Sequence, residues 1–460
     1  MTLQEQFRQQ APTPLAPRPI QLPTAVEATL KNGLEVVIVP DVRLPLVSYR
    51  LALRTGDAHD PAGLPGLTDL LTGLLSEGTE THSSRQIADL VAKMGATLSA
   101  GASSDYTTVA ASSLTKFHDR ILDLLADVAL NPSFPDNEVK LIKENTKESL
   151  RQQRAQPSFL ATEMVSRIIF GEHPYSKIAP TLDSLEATTR ERIVEFHRTQ
   201  FVPNNAVLVV AGDVDPETLI LRAENLFADW KPGAVQADKF PLPPQRTARS
   251  AYLVDRPGSA QSNIVIANGG GITRTSPDYF PMLLMHTVLG ANASSRLFMN
   301  LREEKGYTYG AYSSLDARRS AGSFRVSAEV RTTVTEESLK EFFFELDRIR
   351  REPVAEKELD DAKSYLTGVF PIRLETQEGL IEQIVQIKML GLPDNYLQTY
   401  RQQIQEVKID ELQRVANEYL RPDEAAIVIV GDGAEISRQV KPFTDTLETY
   451  NIAGERTANN

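Results

Sequence analysis

The sequence predicts an α+β fold built twice: two homologous domains, each a mainly antiparallel sheet covered by helices. Three observations carry this. At 460 residues the chain is longer than one hydrophobic core usually serves. Strand-like and helix-like stretches recur in the same order in both halves. Two segments also repeat at nearly one spacing. F-V-P-N-N-A-V-L-V-V-A-G-D from Phe201 lies without a gap on L-R-P-D-E-A-A-I-V-I-V-G-D from Leu420, and the segment ending at Val139 resembles the one ending at Leu359 at almost the same offset.

Taken in order, residues 1–24 are polar and then proline-rich, which predicts an extended N-terminal arm. A first domain follows over 25–230. It opens with a hairpin turning at Asn32-Gly33 and the alternating strand V-S-Y-R-L-A-L-R. Next come an apolar helix over Leu67–Leu75, an amphipathic helix over Ser83–Met94, and two short strands within Ala96–Ser113. Long helices are predicted over Phe117–Leu130 and Asp136–Gln153 from their 3.6-residue periodicity. The half closes with a helix over Ile193–Thr199, a strand over Ala206–Ala211 and a helix over Pro216–Phe227. Residues 231–250 are proline-rich and read as a linker, 251–450 as the second domain and 451–460 as a tail. Two such domains are expected to face each other across a cleft, the usual place for a ligand.

Composition narrows the function. Hydrophobic content of 41% and charged content of 24% are those of a soluble globular protein. A net charge of -12 argues against a nucleic-acid or anionic-membrane binder. No apolar run approaches the roughly 18 residues that cross a bilayer, and the first ten residues are polar, so neither a membrane span nor a leader is expected within this sequence. There is no cysteine, hence no disulfide, thiolate site or cysteine nucleophile. No two of the six histidines stand three or four apart, so no local helical two-histidine metal motif can form. Asp60, Asp69 and Asp105 read as surface or capping residues, and His173 in H-P-Y as structural.

The most informative stretch is S-S-R-L-F-M-N-L-R-E-E-K-G-Y-T-Y-G-A-Y, Ser294–Tyr312. It predicts a helix with Leu297, Phe298 and Leu301 as its apolar stripe, a stop at Gly306, and a strand carrying Tyr307 and Tyr309 on one face. Arg302 and Tyr309 fall at the same end of this unit. A guanidinium and a phenol so placed suit a peptide carbonyl and the oxyanion that develops from it.

Together, S-R-L-F-x-x-L-R-E-x-x-G-x-x-Y, L-K-N-G-L-E-V-V-I-V-P, G-E-H-P-Y, the two V-x-x-G-D segments and the duplication resemble the pitrilysin/insulinase family of zinc peptidases, in its processing-peptidase-like branch. The resemblance runs from about residue 25 onward. It implies a chain forming half of a clamshell that holds peptides by edge-strand pairing. The family's H-x-x-E-H zinc motif does not carry over. G-L-T-D-L-L-T-G-L-L-S-E-G-T at Gly66–Thr79 puts Asp69, Thr72 and Gly73 at the two histidine positions and the glutamate base, and Ser149 falls where a third ligand stands. This chain is therefore expected to bind no cofactor. Zinc would sit in a homologous H-x-x-E-H partner, with Arg302 and Tyr309 completing that partner's site. Inactive alone, the chain would be the non-zinc subunit of a heterodimeric metallopeptidase acting on peptides.

Asn268-Gly269-Gly270-Gly271 lacks the spacing and lysine of a phosphate cradle and reads as a strand-ending loop, to which the resemblance adds substrate binding at Gly269, Gly270 and Gly271. An alternative function is a non-catalytic structural or interaction subunit, similar to respiratory-complex core proteins. The resemblance suggests a bacterial periplasmic setting, with the cytoplasm as the alternative.

Overall fold

The computed structural model describes residues 23–235 and 237–457; most of the expected arm, residues 1–22, and the last three residues of the expected tail lie outside them. The fold is α+β, with two mixed six-stranded sheets covered by helices. The first comprises β1 (Val26–Thr29), β2 (Glu35–Pro40), β3 (Leu46–Leu53), β4 (Thr97–Ala102), β5 (Thr107–Leu114) and β6 (Ala206–Gly212), in the order β1-β2-β6-β3-β5-β4. The second comprises β7 (Ser250–Asp255), β8 (Gln261–Gly269), β9 (Thr308–Ala317), β10 (Gly322–Arg331), β11 (Ala426–Gly431) and β12 (Leu447–Tyr450), in the order β12-β7-β11-β8-β10-β9.

The duplication is visible at the level of register. Ile38 and Tyr49 flank Val210 in the first sheet, and Leu253 and Ile264 flank Ile429, the residue that the sequence repeat lays on Val210, in the second. Antiparallel pairing dominates, but β2 runs parallel to β6, and β7 runs parallel to both β11 and β12. The outermost strand is where the copies part. β1 precedes β2 and runs antiparallel to it, whereas β12 comes from the far end of the chain and runs parallel to β7.

The central strands explain how the halves assemble. Every residue of β6, A-V-L-V-V-A-G, and of β11, A-I-V-I-V-G, is buried. A strand apolar on both faces needs a cover on each. One face of each sheet packs on helices of its own half. The other is covered by a helix from the opposite half. Pro157–Phe170, with proline at its first turn, lays Leu160, Met164, Val165 and Ile169 on Tyr252, Val265 and Val428 of the second sheet. Its counterpart in the second half, Gln377–Leu390, is capped by Thr376 and packs Leu380, Ile381 and Ile384 on Val37, Val39, Val207 and Val209 of the first. Each buried large side chain in this exchange contributes about 1.5–3 kcal/mol. Much of the space between the sheets is filled by the exchanged helices, because two-faced apolar strands require them.

A polar clasp adds to this. The turn joining β9 to β10 docks on the G-E-H-P-Y segment and on the turn joining β4 to β5. The Tyr175 hydroxyl donates to the Asp105 carboxylate and accepts from Ser320 Oγ at 2.9 Å. Asp105 also accepts the Arg319 amide at 3.1 Å. Arg318 lies 4.6 Å from the Tyr175 ring centre and donates to Ser104 Oγ at 2.9 Å. His173 packs against Tyr175 with the rings tilted by 55° and their centres 4.3 Å apart, and burial, reinforced by the Arg318 charge, pushes its pKa down to about 4. Asp105 is consequently no surface residue, contrary to the sequence reading: it is 7% exposed, because both turns close over it. In the segment between Leu226 and Ser250, Asp238 ties His59 of the first half, at 2.8 Å, to Arg319 of the second, at 3.3 Å.

Candidate functional site

The helix that begins at Arg296 carries Leu297 and Leu301 on its buried side. Its last six residues, Met299–Glu304, wind as a π-helix rather than the regular turn the sequence suggests. Polar contacts hold this widened turn from beneath. Arg296, itself buried, grips Glu358 through two bonds of 2.7 Å, which keeps the Glu358 carboxyl below its usual range. Asn300 Nδ2 donates to Glu341 at 3.0 Å and to Glu345 at 2.9 Å. Phe298, expected in the apolar stripe, is only half-buried and lies 5.6 Å from the Tyr312 ring centre. Gly306 ends the helix at φ +62, and Tyr307 N donates to Leu301 O at 3.0 Å.

That bond delivers the chain into β9 beside the helix end. Thr308 pairs with Val330 and Ala311 with Ala328, which leaves Tyr309 and Gly310 opposite the single residue Glu329. This is a β-bulge, a device that re-aims a side chain. The Thr308 hydroxyl spans it, 2.7 Å from Glu329 O and accepting from Gly310 N at 3.1 Å. Tyr309 is 93% exposed, and its hydroxyl has no partner among the described residues. Arg302, also exposed, engages the Glu303 carboxylate and lies 5.6 Å from the Phe298 ring centre. Arg302 and Tyr309 thus leave the same end of the unit from two irregular turns, with no bond between them. Both face solvent, where a ligand would meet them.

The four degenerate positions lie on two packed helices. Leu67–Leu74 is capped by the Asp60 carboxylate, which accepts from Gly66 N at 2.6 Å and Thr68 N at 2.9 Å. Asp69 reaches solvent, and desolvation by the surrounding protein raises its pKa. Thr72 is buried and bonds back to Asp69 O at 3.0 Å. A β carbon on Gly73 would lie 2.5 Å from Ile142 Cδ1, and Ser149 is exposed on the neighbouring helix Asp136–Arg154. These residues do not fit a zinc ion: they offer one carboxylate, and Ile142 fills the space beside Gly73. Among the described residues no three His, Cys, Asp or Glu gather as a metal site. The sequence reading did not single out Asp57, whose pKa is pushed up to about 8 by burial and by the charges of Asp69 and Asp60; G-D-A-H-D at Gly56–Asp60 was its only signal.

Gly269 ends β8, and Gly270 and Gly271 turn away from it at φ +79 and +98. A β carbon on Gly269 would lie 2.5 Å from Ile169 O, so close seating of the exchanged helix requires a glycine there. Through β10, Gly269 stands level with Asp316, while Tyr309 stands level with Asn263. Six residue steps along β8 separate the two levels, about 20 Å of strand. The glycines and the Arg302/Tyr309 pair therefore occupy opposite ends of the second sheet.

Comparisons with known proteins bear on the family and the fold. A family model described as Insulinase (Peptidase family M16) matches residues 36–180, and one described as Peptidase M16 inactive domain matches residues 187–366. The uncharacterized zinc protease YmxG of Bacillus subtilis is 22% identical over 406 residues, covering 88% of this chain and 98% of that protein. The non-peptidase homolog YmxG of Helicobacter pylori is 23% identical over 397 residues, covering 85% and 90%. Among solved structures, a peptidase M16 inactive domain from Pseudomonas fluorescens superposes with a TM-score of 0.83 at 26% identity, covering 89% of this chain and 98% of that one.

Proposed function

The chain belongs to the M16 (insulinase/pitrilysin) family as a peptidase homologue, and from that premise we propose that it is the non-zinc subunit of a heterodimeric peptidase. One observation carries the reading. The positions of the zinc site hold Asp69, Thr72, Gly73 and Ser149, whereas Tyr309 stands exposed on a bulge with a free hydroxyl and Arg302 stands exposed on the helical turn before it. A partner bearing H-x-x-E-H supplies the metal and its water. This chain closes over the peptide as half of a clamshell. Tyr309 donates a hydrogen bond to the scissile carbonyl oxygen as negative charge grows on it. Arg302, exchanging its contact with Glu303 for the substrate, adds positive charge at the same place. The π-turn and the bulge fix where these two groups leave the backbone.

Reconstitution tests the proposal. The isolated chain, the isolated zinc-bearing homologue and their mixture are assayed on a quenched-fluorescent peptide library; turnover by the mixture alone supports the reading. Full turnover by the homologue alone, unchanged on mixing, would overturn it. The name of the Helicobacter pylori relative, a non-peptidase homolog, favours a second reading, a structural subunit without proteolysis. Purification within a large assembly that holds no zinc peptidase would select it.

A further inference from the structure

A cavity of about 730 Å³ lies between the halves, near the end of the second sheet opposite Tyr309. Its wall combines the β4–β5 turn, the last residues of β9 and four helices, with Leu283, Leu315, Leu366 and Phe370 as apolar surface. Arg274 lies on this wall. Its guanidinium carbon is 4.0 Å from the Tyr279 ring centre and 5.2 Å from that of Tyr396. No carboxylate among the described residues stands within ion-pair distance of it. Its Nη1 is buried with no hydrogen-bond partner. Arg274 as a whole is half-buried, but buried polar atoms are ordinarily bonded and a buried donor without a partner is costly.

The other charges of the cavity do not compensate Arg274. Asp316 is engaged by Arg318 at 2.7 Å. Asp105 is engaged by Tyr175 and the Arg319 amide. Arg373, on the same wall, has no ion pair among the described residues. Burial also works against the Arg274 charge, which an incoming anion would relieve. In a chain of net charge -12, three arginines against two carboxylates make this a locally cationic pocket, its lining mostly polar with an apolar patch at Leu283, Leu315, Leu366 and Phe370.

We propose that this cavity binds an organic carboxylate with an aromatic or branched apolar body, its carboxylate on Arg274. The cavity's size is that of small-molecule sites, about 300–1,000 Å³. A planar guanidinium stacked on tyrosine rings presents its edge to a carboxylate in a fixed plane. The carboxylate belongs either to a free organic acid or to the C-terminus of a short peptide. This site is separate from Tyr309 and does not depend on the peptidase reading.

Calorimetric titration of the full chain tests the proposal, with 3-phenylpropionate, a Leu-Leu-Phe tripeptide as its free acid and as its C-terminal amide, and inorganic phosphate as probes. At least one carboxylate probe is expected to bind saturably. Binding by 3-phenylpropionate alone assigns the site to free acids. Binding by the tripeptide acid, with its amide at least tenfold weaker, assigns it to peptide ends. Arg274→Gln is expected to weaken binding at least tenfold. Gln383→Glu, which places a negative charge on the wall without touching the cation stack, is expected to weaken it several-fold and keeps the test open if Arg274→Gln fails to fold. No saturable carboxylate binding, equal binding of acid and amide, phosphate binding as tight as the best carboxylate, or a folded Arg274→Gln protein that binds as the parent does would each overturn the proposal.

Discussion

Ile142 Cδ1 lies 2.5 Å from where a β carbon on Gly73 would stand, so the helix that carries a zinc motif in a metallopeptidase is here closed by its neighbour. Alanine in place of a helical glycine ordinarily stabilises by about 0.5–1 kcal/mol. The contact with Ile142 opposes that gain. Gly73→Ala alone is expected to fall short of it, and Gly73→Ala in an Ile142→Ala background to recover it in denaturant unfolding. Equal increments in the two backgrounds would contradict the contact.

The clasp between the halves makes a second prediction. Tyr175→Phe keeps the ring under Arg318 but leaves the buried Asp105 without its hydroxyl donor. A loss of about 1–3 kcal/mol is expected from unfolding curves. Ser320→Ala, which removes a donor to Tyr175 and a 3.3 Å contact with His173 Nε2 but leaves Asp105 its partners, should cost less.

Stability should depend on pH in two opposed ways. His173, His197 and His286 are each pushed down to about 4, chiefly by burial, against 6.5 when unfolded. The unfolded chain binds more protons between those values, so their contribution is present above pH 6.5 and lost as pH falls towards 4. Asp57, at about 8 when folded against 3.8 unfolded, acts the other way: its contribution is present below 3.8 and lost as pH rises through 8. Asp57→Asn is therefore expected to gain on the parent progressively from pH 4 to pH 8 in melting temperature. A gain independent of pH would remove Asp57 from this account.

Tyr309→Phe should leave stability within about 0.5 kcal/mol of the parent, since the side chain is 93% exposed and its hydroxyl unbonded. Asn300→Leu, by contrast, strips Glu345 of a buried donor and should lower the melting temperature measurably.

The duplicated plan was legible because it rests on local patterns: A-V-L-V-V-A-G and A-I-V-I-V-G each announce a buried strand, and their spacing announces the repeat. The exchange of helices was not. Leu160, Met164 and Ile169 show that Pro157–Phe170 buries a face, but nothing in their spacing says which sheet receives it. Asp105 was misread for the same reason, since its partners, Tyr175 and Arg319, are 70 and 214 residues away. At the candidate site, Arg302 and Tyr309 could be picked out by residue type and spacing. The bulge beneath Tyr309 could not, because it exists only in the register of β9 against β10. The glycines after β8 share the second domain with Tyr309, yet strand register puts them at the other end of the sheet.

The most direct test of the central claim is single-turnover peptide cleavage by the complex of this chain with its zinc-bearing homologue, comparing the parent with Tyr309→Phe. Loss of one oxyanion donor predicts a fall of about 10²–10³ in the cleavage rate with complex formation unchanged, and Arg302→Ala should lower it as well. Cleavage at the parental rate by a fully assembled complex carrying both substitutions would contradict the account.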